Sequence, residues 1–253
     1  MKKCVTKHVS HGKQTNYKVC DIHAHIIPCV DDGATSFDMS MSLIRMASQQ
    51  GVKSIVCTSH GRYNTKKYFK NMEILQSEID NENIGIRLYS GCEVYCTYDR
   101  IYNILIGLNI GSIPTINMTE YVLVEFNPYA NINEMIYCLK YLLNYGYTPV
   151  IAHVERYYAL HGTNQWINIL RKIGCAFQVN AYSLVDEKNE MTRQFARALL
   201  KYKYVSFIGS DAHRTNHRPY VIKNGINYIY ANCDEQYAKD ICYRNAKRIF
   251  NMK

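Results

Sequence analysis

No apolar run approaches the ~18 residues that a membrane-crossing helix needs, so no membrane span is expected. The basic opening, MKKCVTKHVSHGKQTNYK, leads into no apolar stretch, so no secretory signal is expected either. None of the ten cysteines stands in a CxxC pair, and Cys92 and Cys96 come nearest. That argues against a thiolate zinc site or a disulfide framework. The cysteines are expected to be reduced, mostly buried small hydrophobes of a cytoplasmic protein. Low-complexity blocks, obvious linkers and internal repeats are also lacking, which leaves one domain. The net charge is +9, yet no tract concentrates it. Lysines and arginines spread along the chain read as solvated helix faces. Acidic partners such as phosphates suit this balance, and nucleic acid is not expected.

What remains is a chain of 253 residues, 47% apolar and 20% charged, enough to bury one large core. Residues 1–18 are polar and aperiodic and are expected to form a flexible extension, with the domain spanning 19–253. Beyond them seven strand-like runs occur: KVCDIHAH, VKSIVCTSH, IRLYSGCEVY, YVLVEF, TPVIAHVE, CAFQVNA and YVSFIGSDAH. Amphipathic segments lie between most of them. In SFDMSMSLIRMASQQG, Ser36 is placed to cap the start of a helix and Gly51 its end. Strands alternating with helices predict an α/β fold with a parallel sheet, closed or nearly closed into a barrel; an open doubly wound sheet is the alternative.

The ionisable residues recur at one place in this pattern. His23 and His25, His60, Glu93, Glu125, His153, and Asp211 with His213 all fall at the ends of strand-like runs. In a parallel barrel those ends open on one face, where active sites are built. A lone histidine at a strand end is usually an ordinary satisfied side chain, and a lone aspartate before a helix is usually a cap. Burying many imidazoles and carboxylates together is costly unless something compensates them. The set suits two or three divalent ions such as Mn, Fe, Zn or Mg. His23 and His25 are two apart on a strand and point to the same side. Arg156 and Arg218 lie close in sequence to this set and could grip phosphate oxygens. Together these features point to phosphoester hydrolysis. A cysteine phosphatase is not expected: it needs a thiolate in a C-x5-R loop, and Cys57 with Arg62 is one residue short and lies in a strand-like run.

The motifs DIHAHIIPCVDDG, TSH, GCEVY, AHVERY and SDAHR…RP closely resemble the polymerase-and-histidinol-phosphatase (PHP) superfamily. Within it they are similar to the metal-dependent protein-tyrosine phosphatases of bacterial capsule and exopolysaccharide loci. The resemblance runs from about Val19 to the C-terminus. It implies a distorted (β/α)7 barrel of the TIM type with up to three metal ions, commonly manganese. It implies His23, His25, His60, Glu93, Glu125, His153, Asp211 and His213 as ligands. It places Asp32, or else Asp31, as the acidic group beside them, and Arg156 and Arg218 as holders of phosphate. The implied substrate is a phosphotyrosine protein, the tail of a tyrosine kinase. Relatives typically carry TPHH where this chain has TSHG, so Ser59 and Gly61 depart from the pattern. Three rival readings are a small-molecule phosphatase acting on a substrate such as histidinol phosphate, a C–N hydrolase of the amidohydrolase kind, and a non-catalytic metal-binding module. An amidohydrolase barrel would favour a metal-bridging lysine, and no lysine ends a strand-like run.

Overall fold

The computed structural model describes residues 17–61, 64–162 and 164–251. Most of the expected N-terminal extension, residues 1–16, lies outside them. Eight strands alternate with helices: β1 (Val19–Ala24), α1 (Phe37–Gln49), β2 (Val52–Cys57), α2 (Thr65–Asn81), β3 (Arg87–Ser90), β4 (Glu93–Tyr95), α3 (Ile101–Asn109), β5 (Tyr121–Glu125), α4 (Ile132–Asn144), β6 (Thr148–Ile151), α5 (Gln165–Lys172), β7 (Ala176–Asn180), α6 (Glu190–Lys201) and β8 (Phe207–Gly209). The chain ends in α7 (Lys223–Asn232), α8 (Glu235–Lys239) and α9 (Asn245–Phe250), the last two joined by a π-turn over Asp240–Arg244.

Every strand pair is parallel, in the orders β1-β2-β3 and β4-β5-β6-β7-β8. Two seams join these sheets into a ring. At one, the Asp211 amide donates to His23 O at 2.7 Å and the His25 amide to Ala212 O at 2.8 Å. At the other, His60 bridges to Glu93, and the Glu93 amide donates to Thr58 O at 3.1 Å. The open doubly wound alternative is thereby overturned.

One expected strand, IRLYSGCEVY, is two. Ser90 pairs with Cys57 of β2, whereas Glu93 pairs with Leu123 of β5. Between them the Gly91 amide leaves the ladder and donates to the Tyr68 hydroxyl at 3.0 Å. β3 and β4 therefore share one position in a seven-position barrel.

Local chemistry accounts for the helices. The Ser36 hydroxyl accepts from the Met39 amide and caps α1, as its place in the sequence predicts. Gly51, just beyond the α1 cap, takes φ 86°, a left-handed turn that glycine adopts freely. α1 turns Leu43, Ile44 and Ala47 onto the strands. The core has two parts. The larger lies between strands and helices. The smaller lies inside the barrel: Cys20, Ile22, Val56, Leu123, Val150 and Phe207 pack with Ala246, Ile249 and Phe250 of α9. Among the described residues no helix is long and apolar enough to cross a membrane.

Candidate metal centre

The ring brings all eight candidate ligands to one end of the barrel. His23 ends up fully buried beside His25, with their Nε2 atoms 3.2 Å apart. Glu93 Oε2 stands 3.2 Å from the first, 3.0 Å from the second and 3.4 Å from His60 Nδ1. Asp211 Oδ1 lies 3.6 Å from His23 Nε2 and 3.8 Å from His25 Nε2. His153 Nε2 is 2.9 Å from Glu93 Oε1 and 3.5 Å from Glu125 Oε1. His213 stacks on His25 with ring centres 3.9 Å apart.

Asp32 Oδ1 lies 3.6 Å from both His60 Nε2 and His213 Nε2. Its neighbour Asp31 stands behind the cluster: its carboxylate accepts from the Gly33 and His60 amides and pairs with His25 Nδ1 at 2.8 Å. Asp32 is thus the one that faces the ligands. Gly33 is needed for this loop to fold back, because a Cβ there would come within 2.2 Å of the His25 carbonyl oxygen. The site ends of the chain are held in unusual backbone: His153, Asp211 and Arg218 have φ of 30°, 55° and 54°. Such left-handed residues persist only where surrounding contacts fix them.

The electrostatics follow from burial and pairing. Burial opposes charge on His25, but its hydrogen bonds to the accepting carboxylates of Asp31 and Glu93 outweigh it and push the imidazole up to about 10. For His153, burial and the Arg156 charge are outweighed by Glu125 and Glu93, and it rises to about 9. Burial and the His25 charge lower His213 to about 3. Glu93 and Asp211 are held well below the carboxylate range: burial would raise them, and the His23 charge overrides it. The carboxylates here are paired with protons on imidazoles, positions that cations could take.

Metal ions fit these residues. His213 Nε2 is buried and has no hydrogen-bond partner among the described residues. Three groups of ligand atoms each gather within 4.8 Å: His25, Asp32, His60 and His213; His23, His25, Glu93 and Asp211; His60, Glu93 and Glu125. A nitrogen-and-oxygen donor set without thiolates suits borderline-to-hard divalent cations.

Two arginines edge the cluster. Arg156 Nη1 is 2.9 Å from Asp211 Oδ2, and Arg218 Nη1 is 3.2 Å from Asp211 Oδ1. Sequence reasoning passed over Gln178 and Asn180. Gln178 Oε1 pairs with His23 Nδ1 at 3.0 Å and accepts from the His153 amide at 2.8 Å. Asn180 Nδ2 donates to Asp211 Oδ2 at 3.1 Å. Amide side chains within the apolar run CAFQVNA were their signal. Asp21 meets the cluster through backbone, not through a ligand side chain, among the described residues. Its carboxylate accepts from the His23 and Ser210 amides and the Tyr220 hydroxyl.

The nine described cysteines are free. One does meet the C-x5-R spacing, since Arg248 follows Cys242. Cys242 is fully buried in the π-turn, where burial pushes its thiol up, and Arg248 faces outward 3.7 Å from Asp240. Such a thiol is not a nucleophile. Cys57 is buried in β2 and raised in the same way, while Arg62 lies outside the described residues.

A parallel barrel with clustered imidazoles and carboxylates at its strand ends, edged by arginines, has the architecture of a metal-dependent hydrolase. The chain belongs to the family described as capsular polysaccharide synthesis, CpsB/CapC, whose model matches residues 19–251. It is 33% identical over 239 residues to the tyrosine-protein phosphatase CpsB of Streptococcus agalactiae serotype V, covering 90% of this chain and 97% of that one. It is 30% identical over 208 residues to the tyrosine-protein phosphatase YwqE of Bacillus subtilis, covering 78% of each. Among solved structures it is similar to the metal-dependent tyrosine phosphatases YwqE of Bacillus subtilis and CpsB of Streptococcus pneumoniae. That match has a TM-score of 0.81 and 25% identity, over 91% of this chain and 94% of the other. A histidinol phosphate phosphatase of Lactococcus lactis shares the fold, with a TM-score of 0.58 and 17% identity, over 84% and 92% of the two chains.

Proposed function

We propose that this chain is a metal-dependent protein-tyrosine phosphatase. Its substrate would be the phosphotyrosine tail of a tyrosine kinase that controls capsular or exopolysaccharide synthesis, and it would act in the cytoplasm. One observation carries the reading: Asp211 pairs with both Arg156 and Arg218 while lying against His23 and His25. Cations shaped for phosphate therefore touch the same carboxylate as the metal-binding histidines. Two or three divalent ions, manganese first among them, would be held by His23, His25, His60, Glu93, Glu125, His153, Asp211 and His213. When bound, they would supply positive charge for the phosphoryl group and acidify a nearby water.

The chain's own residues do the rest. Arg156 and Arg218 orient the phosphoryl oxygens and neutralise charge as it redistributes. Asp31 and Gln178 fix the His25 and His23 rings through their Nδ1 atoms. Asp32, open to solvent at the rim, delivers a proton to the departing oxygen. A tyrosine phenolate, with its pKa near 10, needs that help less than an alkoxide would.

The test is a phosphotyrosine-peptide assay beside histidinol phosphate, with metal analysis of protein purified without chelators. Chelation should abolish hydrolysis and manganese restore it, whereas a thiol-alkylating agent should leave it intact. The reverse pattern, or unchanged activity in His153→Ala, overturns the reading. Preference for histidinol phosphate would move the chain to the small-molecule class.

A further inference from the structure

Two clefts border the cluster. One, of ≈ 390 Å³, is lined by Arg156, Arg218, Ser183, Tyr182, Pro219 and Val221 among others. The other, of ≈ 270 Å³, lies across the ring, where His60, Gly61, Glu93 and Glu125 meet Ile104 and Ile113. Resting on the phosphatase reading, we propose that the first cleft holds the aromatic ring of the substrate, with Tyr182 on one wall and Pro219 and Val221 on the other. These three residues then determine specificity for aryl over alkyl phosphate monoesters.

Position supports this. Both guanidiniums line the larger cleft. A phosphoryl group gripped by them at the cluster has its ester oxygen directed there. The smaller cleft sets two carboxylates, Glu93 and Glu125, against one guanidinium, Arg100, whereas the larger sets two guanidiniums against the single carboxylate of Asp211, so the larger is the better host for a phosphate ester.

The walls are also built to stay in place. Tyr182 is 44% exposed on the turn Ala181–Leu184, so its ring is open to a ligand in the cleft. That turn is pinned from beneath by buried Glu155. Its Oε1 accepts from the Asn180 amide at 3.1 Å and the Ser183 hydroxyl at 2.7 Å. Gly225 of α7 lies so close that a Cβ there would come within 2.0 Å of the Ala181 oxygen. The Tyr182 hydroxyl donates to Asp186 at 3.4 Å, an exposed contact that leaves the ring face open.

The opposite wall is strapped in the same way. Tyr220 is fully buried between Pro219 and Val221 and donates to Asp21. Gln50 donates to the Tyr220 carbonyl at 2.6 Å and accepts from the Ile222 amide at 2.8 Å. Two rigid apolar faces beside two phosphate-holding cations match a flat ring carrying a phosphate. A preorganised slot of this kind spends little ordering entropy on its ligand. Asp21, which lies off the metal cluster, then positions the Pro219–Val221 wall through Tyr220.

The test uses the metal-loaded protein and two non-hydrolysable probes, phenylphosphonate and methylphosphonate, with binding read by calorimetry. In Tyr182→Ala the affinity ratio of phenyl to methyl should fall roughly 10-fold, and in Tyr182→Phe it should be kept, because the ring face is retained. Val221→Ala should lower the ratio by a smaller factor. In parallel, the kcat/KM ratio of a phosphotyrosine to a phosphoserine peptide should fall in Tyr182→Ala through KM. An unchanged ratio in Tyr182→Ala, or a ratio that falls instead in Ile104→Ala of the smaller cleft, overturns the proposal and leaves the phosphatase reading standing. Wild-type protein that hydrolyses neither peptide overturns both.

Discussion

Inside the barrel, Cys20, Val56, Leu123 and Phe207 pack together under Ile249 and Phe250 of α9. Further along the same strands the company changes. Leu123 is followed two residues on by Glu125, and Phe207 four residues on by Asp211. The first region is closed by packing alone, since its apolar side chains need only to be removed from water. The second cannot be closed that way. It holds His23, His25, Glu93 and Asp211 at 2% exposure or less and, among the described residues, leaves His213 Nε2 without a hydrogen-bond partner. Burying such groups is costly unless they are paired or coordinate a cation. Within one barrel, the apolar end is made for stability and the ionic end for chemistry.

Removing the hub of the ionic end gives the largest expected effect. Glu93→Ala deletes the carboxylate that touches His23, His25, His60 and His153. Its kcat/KM on a phosphotyrosine peptide should fall ~10³-fold, with fewer ions bound per chain by elemental analysis. Unchanged metal content would break the contrast. Phe250→Ala tests the other end. It should cost about 3 kcal/mol in denaturant unfolding, as loss of a packed aromatic does, while kcat/KM per folded molecule is kept. If activity fell and stability did not, the two ends would not be separate in function.

Asp31→Asn probes the support behind the ligands. It weakens the bond that orients His25 and should reduce metal affinity by ~10–100-fold in a chelator competition. The smallest expected effect is on pH. His25 is raised to about 10 in the metal-free fold. Its stabilising contribution is therefore present in full below ~6.5, the unfolded value, and lost as pH rises through about 10. Metal-free protein should lose stability over that window, and metal-loaded protein should lose less. Denaturation midpoints at a series of pH values measure this, and parallel curves for the two forms would refute the pairing.

Much of the site could be read from sequence because strand ends are marked by the apolar runs before them. VLVEF ends in Glu125, VIAHVE contains His153, and FIGSDAH carries Asp211 and His213. Residues beyond the strands were harder. His60 stands three residues past the end of β2 and reaches Glu93 only through the seam between the sheets. The choice between Asp31 and Asp32 hung on a loop, where no periodicity sets side-chain direction. Gln178 and Asn180 were passed over because an amide inside an apolar strand has no fixed meaning until its neighbours are known.

Periodicity and residue chemistry, both local properties of the chain, were enough to specify the alternation of strands and helices, the eight ligand candidates and the two arginines. Three further features came from the folded molecule alone: β3 and β4 are separate strands, Asp32 rather than Asp31 faces the cluster, and Tyr182, Pro219 and Val221 line one cleft. Each of these depends on contacts between segments far apart in the chain, and those are set by closing the barrel.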